Sequence, residues 1–316
     1  MIRSYKTPAS FKAALEQRLR DRATSLKTTV QRERTILVFD RLLARIGQEF
    51  GEHATLKGGF ALELRLTRAR ATNDVDLRIM GTPEGILLRL QAAGRLDLGD
   101  YMEFHIGLDP EHPTMTGAGV QYDGHRFRAE CQLAGRLFAD PFGIDIAFGD
   151  PIFGEIETIP ASDILDFIGV HPPNIRVYPI ETHLAEKLHA FTMPRTDGRQ
   201  NSRVKDLPDI ALLATLGPLR SDNLRVALSR TFTHRATHGV PRSFPDPPSE
   251  WAPVYARLSK ENGLQWLTLA EVTDAARRFL DPVLSGDDAR IWSPRSWTWS
   301  PVPLDGSATG SYHRGP

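Results

Sequence analysis

The run ATLKGG (54–59) reads as a short buried strand entering a glycine turn, and the next strand, VDLRIM (75–80), has Asp74-Val75-Asp76 at its start. Residues i and i+2 of a strand point to one side, so both carboxylates face a single point. Two like charges held together are costly unless a cation neutralises them, and carboxylate oxygens suit Mg²⁺. Glycines at the preceding turn let backbone N–H groups approach a phosphate closely. A glycine turn followed by a same-face aspartate pair is what metal-assisted transfer from a nucleoside triphosphate requires. An isolated Asp-x-Asp is more often chance or solvated surface; the double glycine upstream reverses that balance in favour of the functional reading.

The rest of the chain surrounds this unit with a mixed pattern. Residues 9–22 and 28–50 have helical spacing, and a short helix is expected from Phe60 to Leu66. GTPEGILLRLQAAG is expected to open a helix just after Thr82-Pro83. Short strands follow from Tyr101 to Phe148, with a hairpin signal at Asp123-Gly124, and NIRVYPI adds another. From THLAEKLHAFTM onward the pattern is mostly helical, and the segment after Ser285 holds prolines, glycines, Trp292, Trp297 and Trp299 without periodicity. Aromatics are unusual in a disordered tail, so part of this segment is expected to dock. The expected organisation is a mixed-sheet lobe with N-terminal helices over 1–175, a helical lobe over 176–285 and a tail over 286–316.

Lys+Arg and Asp+Glu both number 39, which argues against gripping nucleic acid by bulk charge. The balance is uneven along the chain: residues 1–50 hold eleven basic side chains against five acidic ones, and 97–166 holds fourteen acidic residues against Arg126, Arg128 and Arg136. Residues 195–242 turn basic again. Such segregation suits one face for a polyanion and another for a basic partner, or a solvated helix surface. Cys131 is the single cysteine, so no internal disulfide or cysteine-built zinc site is possible. The start lacks an apolar signal core and about 18 apolar residues nowhere run together, so a cytoplasmic protein without a membrane anchor is expected.

Asp145, in GIDIAF, is the natural third carboxylate for the metal, or else an exposed edge-strand residue. Lys187, in LAEKLHAF, either crosses to the triphosphate as a point charge or lies on a helix surface beside Glu186. Thr72 is expected to present its hydroxyl to the face of the aspartates, where phosphorylation would block the triphosphate; a turn residue is the alternative.

LKGGFALELRL…RATNDVDLRI together with PIETHLAEKLHAF…R…RVKDLPDIALL resembles the AbiEii/AbiGii nucleotidyltransferase-like toxin family, which includes MenT-like toxins. The matching stretches are about 55–79 and 178–214; Phe60, Thr72 and Lys205 replace the usual Thr, Ser and Arg. The resemblance implies an α/β (α+β) fold, with a polymerase-beta-like nucleotidyltransferase lobe on a mixed sheet and a helical C-terminal lobe. It implies a toxin of a toxin–antitoxin pair that adds nucleotides from an NTP to the tRNA 3′ end and so blocks translation. Lys57, Gly58, Gly59, Arg70 and Thr72 would then bind the nucleotide. Asp74 and Asp76 would hold Mg²⁺, and Lys187 and Asp206 would complete the active site. Because these groups fall in both halves of the chain, the site is expected to assemble across the lobe junction. The tRNA acceptor end is expected to run along Arg195, Arg199, Arg203 and Lys205. A separate antitoxin protein and a monomeric toxin are the expected partners. The alternatives are transfer of a nucleotidyl or phosphoryl group to a protein or small molecule, and a non-catalytic scaffold that only sequesters a partner.

Overall fold

The computed structural model describes residues 5–66, 71–111, 124–194, 203–286 and 288–302. Eight strands form one sheet: β1 (Ala54–Lys57), β2 (Asp74–Ile79), β3 (Met102–Leu108), β4 (Gly124–Leu133), β5 (Arg136–Leu137), β6 (Phe142–Phe148), β7 (Glu157–Pro160) and β8 (Asn174–Val177). Their order is β3-β4-β6-β2-β1-β8-β7, with β5 paired to β4. β2–β6 and β1–β8 are parallel and the other pairs antiparallel, so the sheet is mixed as expected.

Alternation along the strands gives the sheet two unlike faces. Leu56, Val75, Leu77, Ile79, Phe127, Ala129, Ile144, Ile146 and Val177 are buried in one core cluster. That cluster also takes the apolar stripes of α1 (Pro8–Leu26), α2 (Val30–Phe50) and α4 (Ile86–Gly94), and Phe60 and Ala61 of α3 (Gly58–Arg65). The opposite face carries Lys57, Asp74, Asp76, Arg126, Arg128 and Asp145, at the intervening positions. α2 also buries charge: Arg45 is 0% exposed, and its guanidinium and that of Arg41 donate to Asp100 at 2.6–2.8 Å. Those buried charges are tolerated because each has a charged partner.

The second part of the chain builds α5 (Ile180–Thr192), α6 (Asp206–Leu213), α7 (Ser221–Arg235), α8 (Ala252–Asn262) and α9 (Leu269–Ser285). They share a separate core cluster running from Leu184 to Trp292, to which Leu62 of α3 belongs. This helix opens on the double glycine itself, two residues before the expected Phe60, and contributes to both cores.

One local expectation is corrected, and two features are added. The helix α4 starts at Ile86, because Gly85 is left-handed (φ 69°) and Thr82-Pro83 makes a turn before it. α7 ends at Arg235, where Ala236 turns left-handed. The segment after Ser285 contains an antiparallel hairpin, β9 (Arg290–Ser293) and β10 (Thr298–Pro301). Its indole N–H groups donate to backbone carbonyls, Trp292 to Ala214 (2.8 Å), Trp297 to Ala275 (3.1 Å) and Trp299 to Phe279 (2.8 Å).

Candidate active site

One row of directly paired residues crosses four strands: Lys57 on β1, Asp76 on β2, Asp145 on β6 and Arg126 on β4. Strands lie roughly 4.8 Å apart, so the register alone places two carboxylates between two cations. In the adjacent row Asp74 pairs with Gly143. Both glycine positions are sterically required. A Cβ at Gly58 would stand 1.9 Å from Oδ2 of Asp76, and one at Gly143 would stand 2.7 Å from Oδ1 of Asp74. Gly58 also has φ +67°, a left-handed backbone that favours glycine.

The electrostatics show an unneutralised pair. Burial, and then repulsion from Asp145, pushes Asp76 up to about 6, against the pull of Lys57 and Lys187. Asp74 is raised for the same two reasons, with Arg126 and then Lys205 acting as its opposing cations. Two carboxylates that repel each other on one face, at a cradle kept clear of side chains, are a donor set that fits Mg²⁺. No group of three or more His, Cys, Asp or Glu among the described residues is arranged to hold a metal ion. Two protein carboxylates with substrate phosphates and water completing the shell is the usual Mg²⁺ arrangement.

The other expected residues are placed as follows. Lys187 Nζ lies 2.8 Å from Asp206 Oδ1 and 2.8 Å from Asp209 Oδ2, so α5 and α6 are joined by a buried ion pair whose charge reaches Asp76. Lys57 Nζ lies 2.5 Å from Asp150 and 3.1 Å from Glu186, and engages this internal network beside the pair. Arg203 and Lys205 form a single 3-10 turn ahead of α6 and are exposed, Arg203 being 3.9 Å from Asp206. Thr72 precedes β2, so strand alternation does not govern its side chain; it is buried, and its carbonyl accepts from Arg32 at 2.9 Å. Arg70, Arg195 and Arg199 lie outside the described residues.

Five groups carry no site assignment from the sequence. Arg126 donates to both oxygens of Asp145, Nε at 2.7 Å and Nη2 at 2.6 Å. Asp150, Glu186 and Arg235 join Lys57 in a buried network, with Arg235 3.1 Å from Glu186 and 3.5 Å from Asp150. Burial raises the Glu186 carboxyl, while Lys57 and Arg235 overcome burial at Asp150 and hold it well below the usual range. Asp209 was the one with a sequence signal, standing three residues after Asp206 on one helical face.

These residues come from β1, β2, β4, β6, α5, α6 and α7, so both core clusters contribute to one centre. Among solved structures, the chain is similar to MenT4, a nucleotidyltransferase toxin from Mycobacterium tuberculosis H37Rv. The two share 16% identity, with 90% of this chain and 92% of that one covered, at a TM-score of 0.51. A second similar structure is JHP933 from Helicobacter pylori, at 16% identity, 78% and 93% coverage and a TM-score of 0.40. No match was found among curated proteins. Residues 41–300 match the family described as nucleotidyl transferase AbiEii toxin, type IV toxin–antitoxin system. That match spans most of the chain and includes every strand of the charged row, and the protein therefore belongs to the AbiEii family of nucleotidyltransferase toxins.

Proposed function

We propose that this nucleotidyltransferase toxin transfers a nucleotide from an NTP to the 3′ end of tRNA and so blocks translation, with Asp74 and Asp76 holding Mg²⁺. The observation that carries the reading is the same-face Asp74/Asp76 pair beside the Gly58 cradle, raised in pKa by burial and by a third carboxylate. Mg²⁺ bound there supplies charge neutralisation for the triphosphate and activates its α-phosphorus toward attack. The acceptor hydroxyl oxygen forms the new bond to that phosphorus, the bond to the leaving pyrophosphate breaks, and the hydroxyl proton passes to solvent.

The chain's own residues bind and orient. Gly58 and Gly59 let backbone N–H groups approach the phosphates. Lys187, fixed by Asp206 and Asp209, keeps a positive charge beside the pair as the triphosphate arrives. The acceptor end follows the basic turn at Arg203 and Lys205, and Arg195 and Arg199, outside the described residues, add positive charge to that stretch of sequence. The protein acts as a monomer in the cytoplasm, where its antitoxin partner meets it; no described helix is long and apolar enough to cross a membrane.

The test is incubation of the purified protein with total tRNA and each labelled NTP in turn. A 3′-extended tRNA is expected, and it should vanish in Asp74→Asn and Asp76→Asn while far-UV circular dichroism stays native. Label on protein or a small molecule instead would replace the tRNA reading; extension unaffected by both variants would remove the metal assignment.

A further inference from the structure

Asp145 reaches the charged row, but each of its oxygens already has a partner. Both accept from Arg126, in the two-bond fork that arginine alone makes with a carboxylate. The exposures of the two side chains are unequal: 10% for Asp145 and 39% for Arg126. The carboxylate is covered while the guanidinium faces outward. A guanidinium has five N–H donors, and Asp145 takes two of them, so three remain to receive a ligand.

Arg126 also lies in line with Asp76. It is opposite Asp145, which is opposite Asp76, on one face of the sheet. It is the foremost cation acting on Asp74, ahead of Lys205. Gly143, beside Asp74 and paired to Arg128, places no side chain over this part of the face. The charge balance favours the same assignment. The arginine bound to the third carboxylate offsets its charge and leaves Asp74 and Asp76 to face the cation.

We propose that Asp145 is a positioning residue for Arg126 rather than a ligand of the metal, and that the guanidinium it fixes receives the triphosphate of the nucleotide. This rests on the assignment of Asp74 and Asp76 as the metal pair. Arg126 brings a rigid, permanently charged fork to the phosphates without rearranging, because its orientation is already set by Asp145.

The test uses the full-length protein and two probes, Mn²⁺ alone and inorganic tripolyphosphate with Mg²⁺, both followed by calorimetry. Arg126→Gln/Asp145→Asn is close in shape to wild type and leaves the net charge unchanged. It should keep Mn²⁺ affinity within about tenfold of wild type and lose more than about tenfold in tripolyphosphate affinity, the size expected for a charge-assisted fork. Asp145→Asn alone should weaken tripolyphosphate because the fork loses its anchor. Arg126→Lys, which keeps the charge but not the fork, should stay weakened; it also serves as the second variant if the double one proves unstable. Loss of more than about tenfold in Mn²⁺ affinity in Asp145→Asn and in the double variant would make Asp145 a metal ligand and overturn the proposal. Tripolyphosphate affinity unchanged in Arg126→Lys and in the double variant would overturn it as well. Wild-type binding of both probes that survives Asp74→Asn and Asp76→Asn would instead count against the metal-pair reading, a result distinct from either of these.

Discussion

At Gly58 one added carbon removes the site. Alanine there would set its Cβ 1.9 Å from an Asp76 oxygen and force a φ of +67° on an L-residue. The backbone cost alone is roughly 1–2 kcal/mol. Gly58→Ala is therefore expected to lower the thermal midpoint and to abolish Mg²⁺-dependent NTP binding by calorimetry. Gly143→Ala should weaken binding with a smaller loss of stability, because Gly143 has no positive φ and only meets Asp74 Oδ1. A different residue-scale effect sits away from the site. Burial pushes the Asp40 carboxyl up to about 7, outweighing the hydrogen bonds it accepts from Ser162. Its unfolded value lies near about 3.9, so the folded state binds the proton more tightly. The stability this carries is full below about pH 4 and is lost as pH rises through about 7, a change on the order of 4 kcal/mol. Urea unfolding across that pH range should show the decline, and Asp40→Asn should flatten it. Asp100 works in the opposite sense. Burial would raise it, but Arg45 and Arg41 hold it below its usual value, so its contribution disappears on acidification.

Among the elements, the C-terminal hairpin shows how an unpatterned segment becomes structural. Trp292 is fully buried, packs against Phe279 and donates to the Ala214 carbonyl. Trp292→Ala should cost about 3–5 kcal/mol, read as a lower denaturation midpoint with the sheet's circular dichroism retained. Nothing in RIWSPRSWTWSP alternates cleanly, since the hairpin's order comes from indoles reaching carbonyls on α6 and α9. The elements that were legible had local causes: period-2 alternation for β2 and β6, and helical spacing for α2, α5 and α9. The mixed sheet followed from those patterns, and so did the facing of Asp74 and Asp76. The pairing of Arg126 with Asp145 was not legible, because it depends on the register of β4 against β6. The Lys57–Asp150–Glu186–Arg235 network joins residues up to 178 positions apart in the chain, from Lys57 to Arg235, and no spacing rule reaches that far. The start of α4 was misplaced because Gly85 was read as part of the helix when it is the left-handed residue before it.

At the scale of the whole molecule, equal numbers of basic and acidic residues conceal a local arrangement suited to a polyanion. Arg203 and Lys205 are exposed beside the site, so Arg203→Ala/Lys205→Ala should weaken tRNA binding and leave NTP affinity largely intact. Single strands release roughly 0.7 counterions per neutralised phosphate, so the plot of log affinity against log salt should also become shallower. An unchanged slope would move the acceptor route elsewhere. The row from Lys57 to Arg126 has a further consequence. With cations at its ends and carboxylates in the middle, it is a linear quadrupole, with neither net charge nor, by its symmetry, a dipole along its length. A quadrupole's field decays faster with distance than that of an isolated charge. For a triphosphate approaching from afar the two cations of the row therefore offset Asp76 and Asp145, and Asp74, outside the row, is left to draw a cation to the cradle.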